Sequence, residues 1–247
     1  MIADIDFKKL VPLIIILLMV FCFRLDSDQF FQFGLKGGIN LSSYIGKGNH
    51  TSYWAVGSDD NGIKPGIILG VYAIHYLKDK YSLQIELLYI QKGAYVSIHS
   101  VSYGSGEYYK MNNTWKGNQV ITYIELPVLL KVKDALKLPF ESYLYFGASF
   151  ASLYKAEAKY DFEFIARDEL GNITDQYSEH NIRYDIYHTI KPIDIEFLAG
   201  ITIPFKLFGN SFSSDIRYSV SILPINKIGS NKIRNHSISM LFSIPFN

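Results

Sequence analysis

Residues 237–246 read SISMLFSIPF, so that a large apolar side chain recurs at nearly every second position. Ile238 and Phe246 bound the apolar series, while Ser239 and Ser243 fall on the opposite parity. Successive side chains of a β-strand point to opposite faces of its sheet. The stretch therefore predicts a strand with one apolar face and one polar face.

Seven further segments show the same two-residue period, which brings the number of predicted strands to eight. Segment 67–77 is the least regular, and Leu88 is an apolar exception on the polar face of its strand. The seven segments span residues 31–41, 67–77, 81–89, 124–130, 144–150, 193–201 and 212–222.

The connections between these segments alternate strictly between short and long. The short connections are residues 78–80, 134–141 and 205–210, and the long ones are 43–65, 93–119, 155–191 and 223–235. Outer-membrane barrels have short periplasmic turns and longer external loops, and an even number of strands. We therefore predict an all-β fold, an eight-stranded antiparallel up-and-down transmembrane β-barrel of the outer-membrane type.

A soluble barrel such as a lipocalin would show similar alternation, with its apolar face turned inward. The membrane form is favoured because the apolar faces carry almost no charge over eight strands, and because the last strand is rich in aromatic residues. The polar faces carry charges of both signs, which would pair inside a narrow barrel. These charges are Lys36, Lys92, Lys131 and Arg217 against Glu86, Glu125, Asp194, Glu196 and Asp215.

Composition excludes several classes of protein. The chain of 247 residues has 24 basic and 23 acidic residues, so it lacks the basic excess that binding to nucleic acid requires. Hydrophobic residues make up 49% of the chain, which excludes intrinsic disorder. The single cysteine excludes a disulfide framework and a thiolate metal site.

The amino terminus carries an apolar run, residues 10–23, behind two lysines. A membrane-spanning helix needs about 20 apolar residues, so this run is too short to span comfortably. It fits a secretory signal peptide, which we assign to residues 1–27, leaving a single barrel domain over residues 28–247. An uncleaved anchor or a buried helix is the alternative. The residue before Cys22 is too bulky for a lipoprotein site.

Five short motifs occur in order along the strands. They are KGGINLS at 36–42, ELLYIQKG at 86–93, YIELPVLLK at 123–131, YFG at 145–147 and DIRY at 215–218. In this order and spacing the chain resembles the PorT-like outer-membrane β-barrel family of Bacteroidota. The resemblance implies export to the outer membrane of a Gram-negative bacterium. The family's namesake is linked to secretion of proteases, a role that barrel motifs alone do not transfer.

Seven inward charges are the candidates for ion pairs in the barrel interior. They are Lys36, Glu86, Glu125, Lys131, Glu196, Asp215 and Arg217. Catalytic carboxylates are the alternative for the acidic members of this set. The five histidines in or beside the long connections lack the spacing of a metal site, so we expect no metal, no cofactor and no catalytic residue.

The long connections are the expected working surface. Tyr103, Tyr108, Tyr109 and Trp115 lie among small and polar residues, a composition that suits recognition of a protein or a sugar. A β-hairpin extending outward with aromatics in the interfacial girdle is the favoured alternative. We expect a non-enzymatic protein whose contacts are membrane lipid and an envelope or secretion partner. A rim-active enzyme on lipid or peptide and a narrow channel are the other hypotheses.

Overall fold

The computed structural model describes residues 31–46, 60–78, 80–105, 108–227 and 232–246. Within these ranges the chain forms ten strands and one short 3-10 helix, Tyr187–Thr189. The strands are β1 (Phe31–Ile45), β2 (Asp60–Gly62), β3 (Lys64–Lys78), β4 (Tyr81–Tyr103), β5 (Lys110–Lys133), β6 (Tyr143–Arg167), β7 (Ile173–Asp185), β8 (Ile193–Leu207), β9 (Asn210–Ser221) and β10 (Arg234–Pro245). No helix in the described part of the chain is both long and apolar enough to cross a membrane. The predicted signal peptide lies outside the described residues.

Eight of these strands form a closed antiparallel ring in chain order, β1, β3, β4, β5, β6, β8, β9 and β10. The ring closes between the last strand and the first, from Gly34 opposite Pro245 to Ile45 opposite Arg234. β2 pairs with β4, and β7 pairs with β6, so both are additions to the ring. The predicted eight-stranded up-and-down barrel is confirmed.

The outer surface of the ring is apolar. Ile39 and Leu69 are more than half exposed, and every ring strand contributes at least one exposed apolar or aromatic side chain. Soluble monomers rarely expose a continuous apolar patch of more than a few hundred Å², and larger patches mark surfaces that contact a membrane or a partner. The members of this apolar belt include Phe33, Ile39, Leu69, Val71, Tyr81, Val128, Phe146, Phe197, Ile216, Ile238 and Phe242. The apolar faces thus point outward, as a barrel in lipid requires and a lipocalin-like barrel does not.

Three strands continue well past the ring. β4, β5 and β6 have 23, 24 and 25 residues, whereas β1, β3 and β8 have 15 each. A membrane-spanning strand uses only about 9–11 residues. The extra length, together with β7, forms an antiparallel sheet on the long-loop side, which we call the projection. Most of the connection 93–119 is therefore strand, with a tip of six residues between β4 and β5.

A β-bulge inverts the faces of β6 where the projection begins. Thr122 pairs with Lys155, but Tyr123 pairs with Leu153, so Tyr154 is the extra residue. Below the bulge the even-numbered residues of β6 face lipid, whereas above it they are buried, as at Tyr160. A one-residue shift exchanges the two faces of a strand.

Pro127 lies within β5. A proline lacks the N–H that a strand donates to its ladder, so prolines in strands usually mark an edge or a bulge. The β4–β5 pairing passes directly from Ile85 opposite Val128 to Leu88 opposite Glu125. Two pairs around Pro127 are therefore missing, yet the register is unchanged. The strand tolerates the lost donor without a bulge.

Candidate functional site

The interior of the barrel holds a buried ion network near the short-turn end, which we call the lower network. Lys36 Nζ lies 2.6 Å from Glu86 Oε1 and 2.6 Å from Asp215 Oδ2. Arg217 donates to both Glu86 oxygens, from Nη1 and Nη2, at 2.8 Å each. The bidentate geometry orients the guanidinium as well as neutralising it. Gln84 Nε2 also donates to Glu86 Oε1.

An aromatic ring supports this network from the side. The Arg217 guanidinium carbon lies 5.5 Å from the centre of the Tyr145 ring, and Arg217 Nε donates to the Tyr145 hydroxyl at 3.3 Å. Gly200 makes room for the ring, because a Cβ there would lie 2.5 Å from the Tyr145 hydroxyl. A glycine in a strand commonly marks such a close approach.

A second buried ion network, the upper network, lies farther toward the projection. Lys92 Nζ lies 2.9 Å from Glu125 Oε2 and 2.5 Å from Glu196 Oε2. Asp194 Oδ2 accepts hydrogen bonds from Ser221 Oγ at 2.7 Å and from Asn235 Nδ2 at 3.1 Å. One lysine thus faces three carboxyl groups in this layer.

An apolar plug closes the barrel above the upper network. Inward residues of the ring and of the projection form one buried cluster with residues of the β7–β8 connection and of the loop after β9. The cluster includes Ile90, Val96, Ile121, Tyr160, Ile186, Ile190, Ile225 and Ile233. Trp115 and Tyr184 pack against it. An eight-stranded barrel is only wide enough for its side chains to fill it. The two networks and the plug occupy successive levels of the interior that the structure describes.

The seven predicted interior charges all lie inside the barrel and are at most 4% exposed. Lys36, Glu86, Asp215 and Arg217 come together in the lower network, and Glu125 and Glu196 meet at Lys92 in the upper one. Lys131 stands apart: its Nζ donates to Gln84 Oε1 at 2.9 Å and forms no salt bridge among the described residues.

Sequence reasoning missed several members of the networks. Gln84, Tyr145, Thr202 and Asn235 are buried partners of the charges, and Thr202 Oγ1 donates to Asp215 Oδ1. Strand parity already placed Gln84, Tyr145 and Thr202 on the inward face, whereas Asn235 falls in the predicted connection 223–235. Nothing in the sequence showed which charge each would contact, because that depends on the register between strands.

The four predicted recognition aromatics separate into two groups. Tyr103, Tyr108 and Tyr109 are exposed at the tip of the β4–β5 hairpin. Tyr103 lies thirteen residues past Ile90, the last β4 residue paired with β3, or about 40 Å along the strand. The tip is thus too far out for an interfacial girdle, since the apolar band of such barrels is only about 25 Å tall.

Trp115 belongs to the inner face of the projection instead of its tip. Its ring lies 4.1 Å from that of Phe162 and 6.3 Å from that of Tyr160, centre to centre. Tyr184 of β7 lies 6.2 Å away on the same face. These aromatic contacts hold the two hairpins of the projection together.

Two histidines on strands of the projection, His99 of β4 and His180 of β7, form polar contacts with neighbouring side chains. His99 lies 3.1 Å from Ser97 Oγ and 3.2 Å from Thr114 Oγ1. His180 Nδ1 lies 3.4 Å from Asp161 Oδ1 in an exposed pair. The backbone N–H of Asn181 donates to Asp161 and holds the pKa of that carboxyl below its ordinary value. No three His, Cys, Asp or Glu residues of the described ranges are grouped to hold a metal ion.

Comparison with solved structures finds several outer-membrane barrels at low identity. The chain is similar to Ail, the attachment invasion locus protein of Yersinia pestis, in complex with the heparin analogue sucrose octasulfate: 11% identity, a TM-score of 0.35, and 87% of this chain and 99% of that chain covered. It is similar to Neisserial surface protein A at 13% identity and a TM-score of 0.35, covering 87% and 97%. The translocator domain of the autotransporter NalP from Neisseria meningitidis matches at 11% identity and a TM-score of 0.29, covering 98% of each chain.

No curated protein matches the chain. The family model for the outer membrane protein beta-barrel domain matches residues 24–227, most of the sequence. The closed ring, its apolar belt and its charged interior are the features that this architecture requires. The chain belongs to the outer membrane protein beta-barrel domain family and is a protein of the outer membrane.

Proposed function

We propose that this protein is a non-enzymatic barrel that displays the projection at the cell surface to an envelope or secretion partner. The observation that carries the proposal is β7. Within the described residues β7 pairs with β6 alone, and its thirteen residues are almost entirely exposed. A strand that pairs on one side only can accept a partner strand along its outer edge.

The barrel itself supports a role as an anchor. The plug and the two ion networks fill the described interior, which disfavours a narrow channel. In the described part of the chain His99 contacts the hydroxyls of Ser97 and Thr114, and His180 contacts the Asp161 carboxylate. Neither histidine connects a serine to a carboxylate, which disfavours a rim-active enzyme. Bilayer conductance tests for the channel, and turnover of lipids or peptides tests for the enzyme.

The proposal includes two more specific assignments, which are membership of the PorT-like group and export by a signal peptide. The ordered motifs from residue 36 to residue 218 support membership of the PorT-like group of Bacteroidota, and the apolar run at 10–23 supports export by a signal peptide. In such a bacterium the short-turn side faces the periplasm and the projection faces outward.

A photo-crosslinking residue at Tyr177 tests the proposal in intact cells. Tyr177 is half exposed on β7, and we expect it to form a discrete adduct with one protein. Phe208 is the matched control, because it is 94% exposed in the short turn after β8, at the other end of the barrel. The control should not form that adduct.

Two results would contradict the proposal. One is an inserted barrel whose Tyr177 position forms no protein adduct. The other is turnover of lipids or peptides by the purified barrel that is lost when the loop histidines and serines are replaced. Steady nanosiemens-scale openings in a planar bilayer would establish the channel in its place.

A further inference from the structure

The short-turn end of the barrel contains a cavity of about 200 Å³, lined by both polar and apolar side chains. All eight ring strands contribute to its wall, so the cavity is the inner mouth of the barrel, and we call it the cup. Its polar lining includes Gln32, Tyr72, Ser82, Lys131, Tyr143 and Ser213. The plug lies toward the opposite end of the barrel, and the cup opens at the short-turn side.

Lys131 is the cation in the wall of the cup. The residue is only 4% exposed, and its Nζ makes one hydrogen bond, to the neutral Gln84 side chain. An ammonium group has three donors. The rings of Tyr143 and Tyr145 face it at 5.7 and 5.6 Å, and these contacts favour a positive charge without replacing an anion.

The charges around the cup do not balance. In the lower network Lys36 and Arg217 are matched by Glu86 and Asp215. Lys131 adds a third cation at the boundary between this network and the cup, so the region carries one positive charge in excess. A buried charge without a counter-charge is costly, and a bound anion would remove that cost.

We propose that the cup binds a small oxyanion, a carboxylate or a phosphate group, from the periplasmic side. The Lys131 ammonium is the charged donor, and the Ser82 and Ser213 hydroxyls stand in the same wall. Tyr143 contributes its ring, since its hydroxyl donates to Glu141 at 2.8 Å. The cavity is smaller than the roughly 300–1,000 Å³ of sites for drug-sized ligands, so it suits inorganic phosphate or a short carboxylate.

Calorimetric titration of the full barrel in detergent at neutral pH tests the proposal. Inorganic phosphate is one arm and acetate the other, each against chloride at constant ionic strength. We expect saturable one-to-one binding in at least one arm, and which arm binds identifies the oxyanion. Lys131→Gln should weaken binding about tenfold or more, since it removes a charge-assisted hydrogen bond.

Lys133→Gln is the matched control. Lys133 lies on the same strand, but its ammonium is about one-third exposed and lies 2.9 Å from Glu141. Its loss should leave affinity unchanged. Ser211→Trp is a second variant, which fills the cup from its exposed rim and leaves Lys131 in place. It should abolish binding even if Lys131→Gln fails to fold.

Each possible result of the titrations either supports the proposed anion site or overturns it. Binding that is lost in Lys131→Gln and Ser211→Trp and kept in Lys133→Gln supports the cup. Absence of saturable binding of either anion to the folded wild-type barrel overturns the proposal. Equal affinity in the wild type and in folded Lys131→Gln or Ser211→Trp overturns it as well. None of these results depends on a partner at the projection.

Discussion

Glu86 links strands that are not paired with each other in the ring. Its carboxylate, on β4, binds Lys36 of β1 and Arg217 of β9, at sequence separations of 50 and 131 residues. Such contacts cross the lumen, and they complement the ladder hydrogen bonds between neighbouring strands. The stability of the barrel interior therefore depends on a few carboxylates that each accept hydrogen bonds from more than one cationic side chain.

Replacing Glu86 by Gln tests this dependence. The substitution leaves Lys36 and Arg217 buried without their shared counter-charge, which should lower the free energy of unfolding by roughly 3–5 kcal/mol. Urea titration of the barrel in lipid vesicles measures the change. Glu157→Gln is the control, because Glu157 pairs with Lys155 on the exposed side of the projection and should change stability by about 1 kcal/mol or less. Similar losses in both variants would contradict the account.

Asp161 gives a prediction of pH dependence outside the membrane. Its carboxylate accepts the backbone N–H of Asn181, whose φ of 60° places it in the left-handed region. The pKa of Asp161 is lowered, so the contact is complete above the ordinary range of an aspartate and is lost as pH falls through the lowered value. The amide proton shift of Asn181 should titrate with a midpoint below that of an ordinary aspartate. Asp161→Ala should abolish this titration, and a midpoint in the ordinary range would contradict the assignment.

The faces of the ring strands could be predicted from the sequence, whereas partners could not. The alternation around Glu125 and Lys131 placed both side chains inside the barrel, where they lie. It did not show that Glu125 contacts Lys92 while Lys131 contacts a neutral amide. Parity is a local property of one strand, but a pair across the lumen depends on the stagger of all eight strands.

At the scale of elements, the apolar faces of the ring strands determine insertion. Leu126→Arg places a charge on the lipid face of β5 and should cost about 2–4 kcal/mol at the bilayer midplane. The folded fraction in lipid vesicles, read from gel mobility without heating, measures the loss. Ile173→Arg is the control, since Ile173 is exposed on β7 in the projection. Normal assembly of Leu126→Arg would show that this face does not contact lipid.

The projection depends on aromatic packing between its two hairpins. Trp115→Ala removes the contact with Phe162 and should cost roughly 3 kcal/mol or less, because Trp115 is only partly buried. We expect faster protease cleavage within β7, with the ring strands still protected. Tyr103→Ala at the exposed tip should leave the cleavage rate unchanged. Equal protection in Trp115→Ala and wild type would contradict this role.

The bulge at Tyr154 explains why the projection was harder to predict than the ring. Ala158 and Tyr160 have the same parity as the lipid-facing Phe146, yet they are buried. One inserted residue reverses the faces, and two-residue periodicity does not show where the reversal occurs. The extension of the strands was predictable from the alternation, but the direction of its faces was not.

The barrel interior contains two layers of polar and charged side chains, the lower and the upper network. The apolar plug closes the interior on the side of the projection. The filled lumen, the apolar belt and the closed β1–β10 seam all require the eight strands to be present together. A closed barrel with continuous backbone pairing resists unfolding in detergent, because it has no free edge within the membrane.

The mobility of the membrane-extracted protein in a detergent gel, with and without heating, tests closure of the barrel most directly. The unheated protein should run as a compact species and shift to the mobility of the unfolded chain after boiling. A single mobility under both conditions, from protein that remains in solution without detergent, would contradict the membrane barrel.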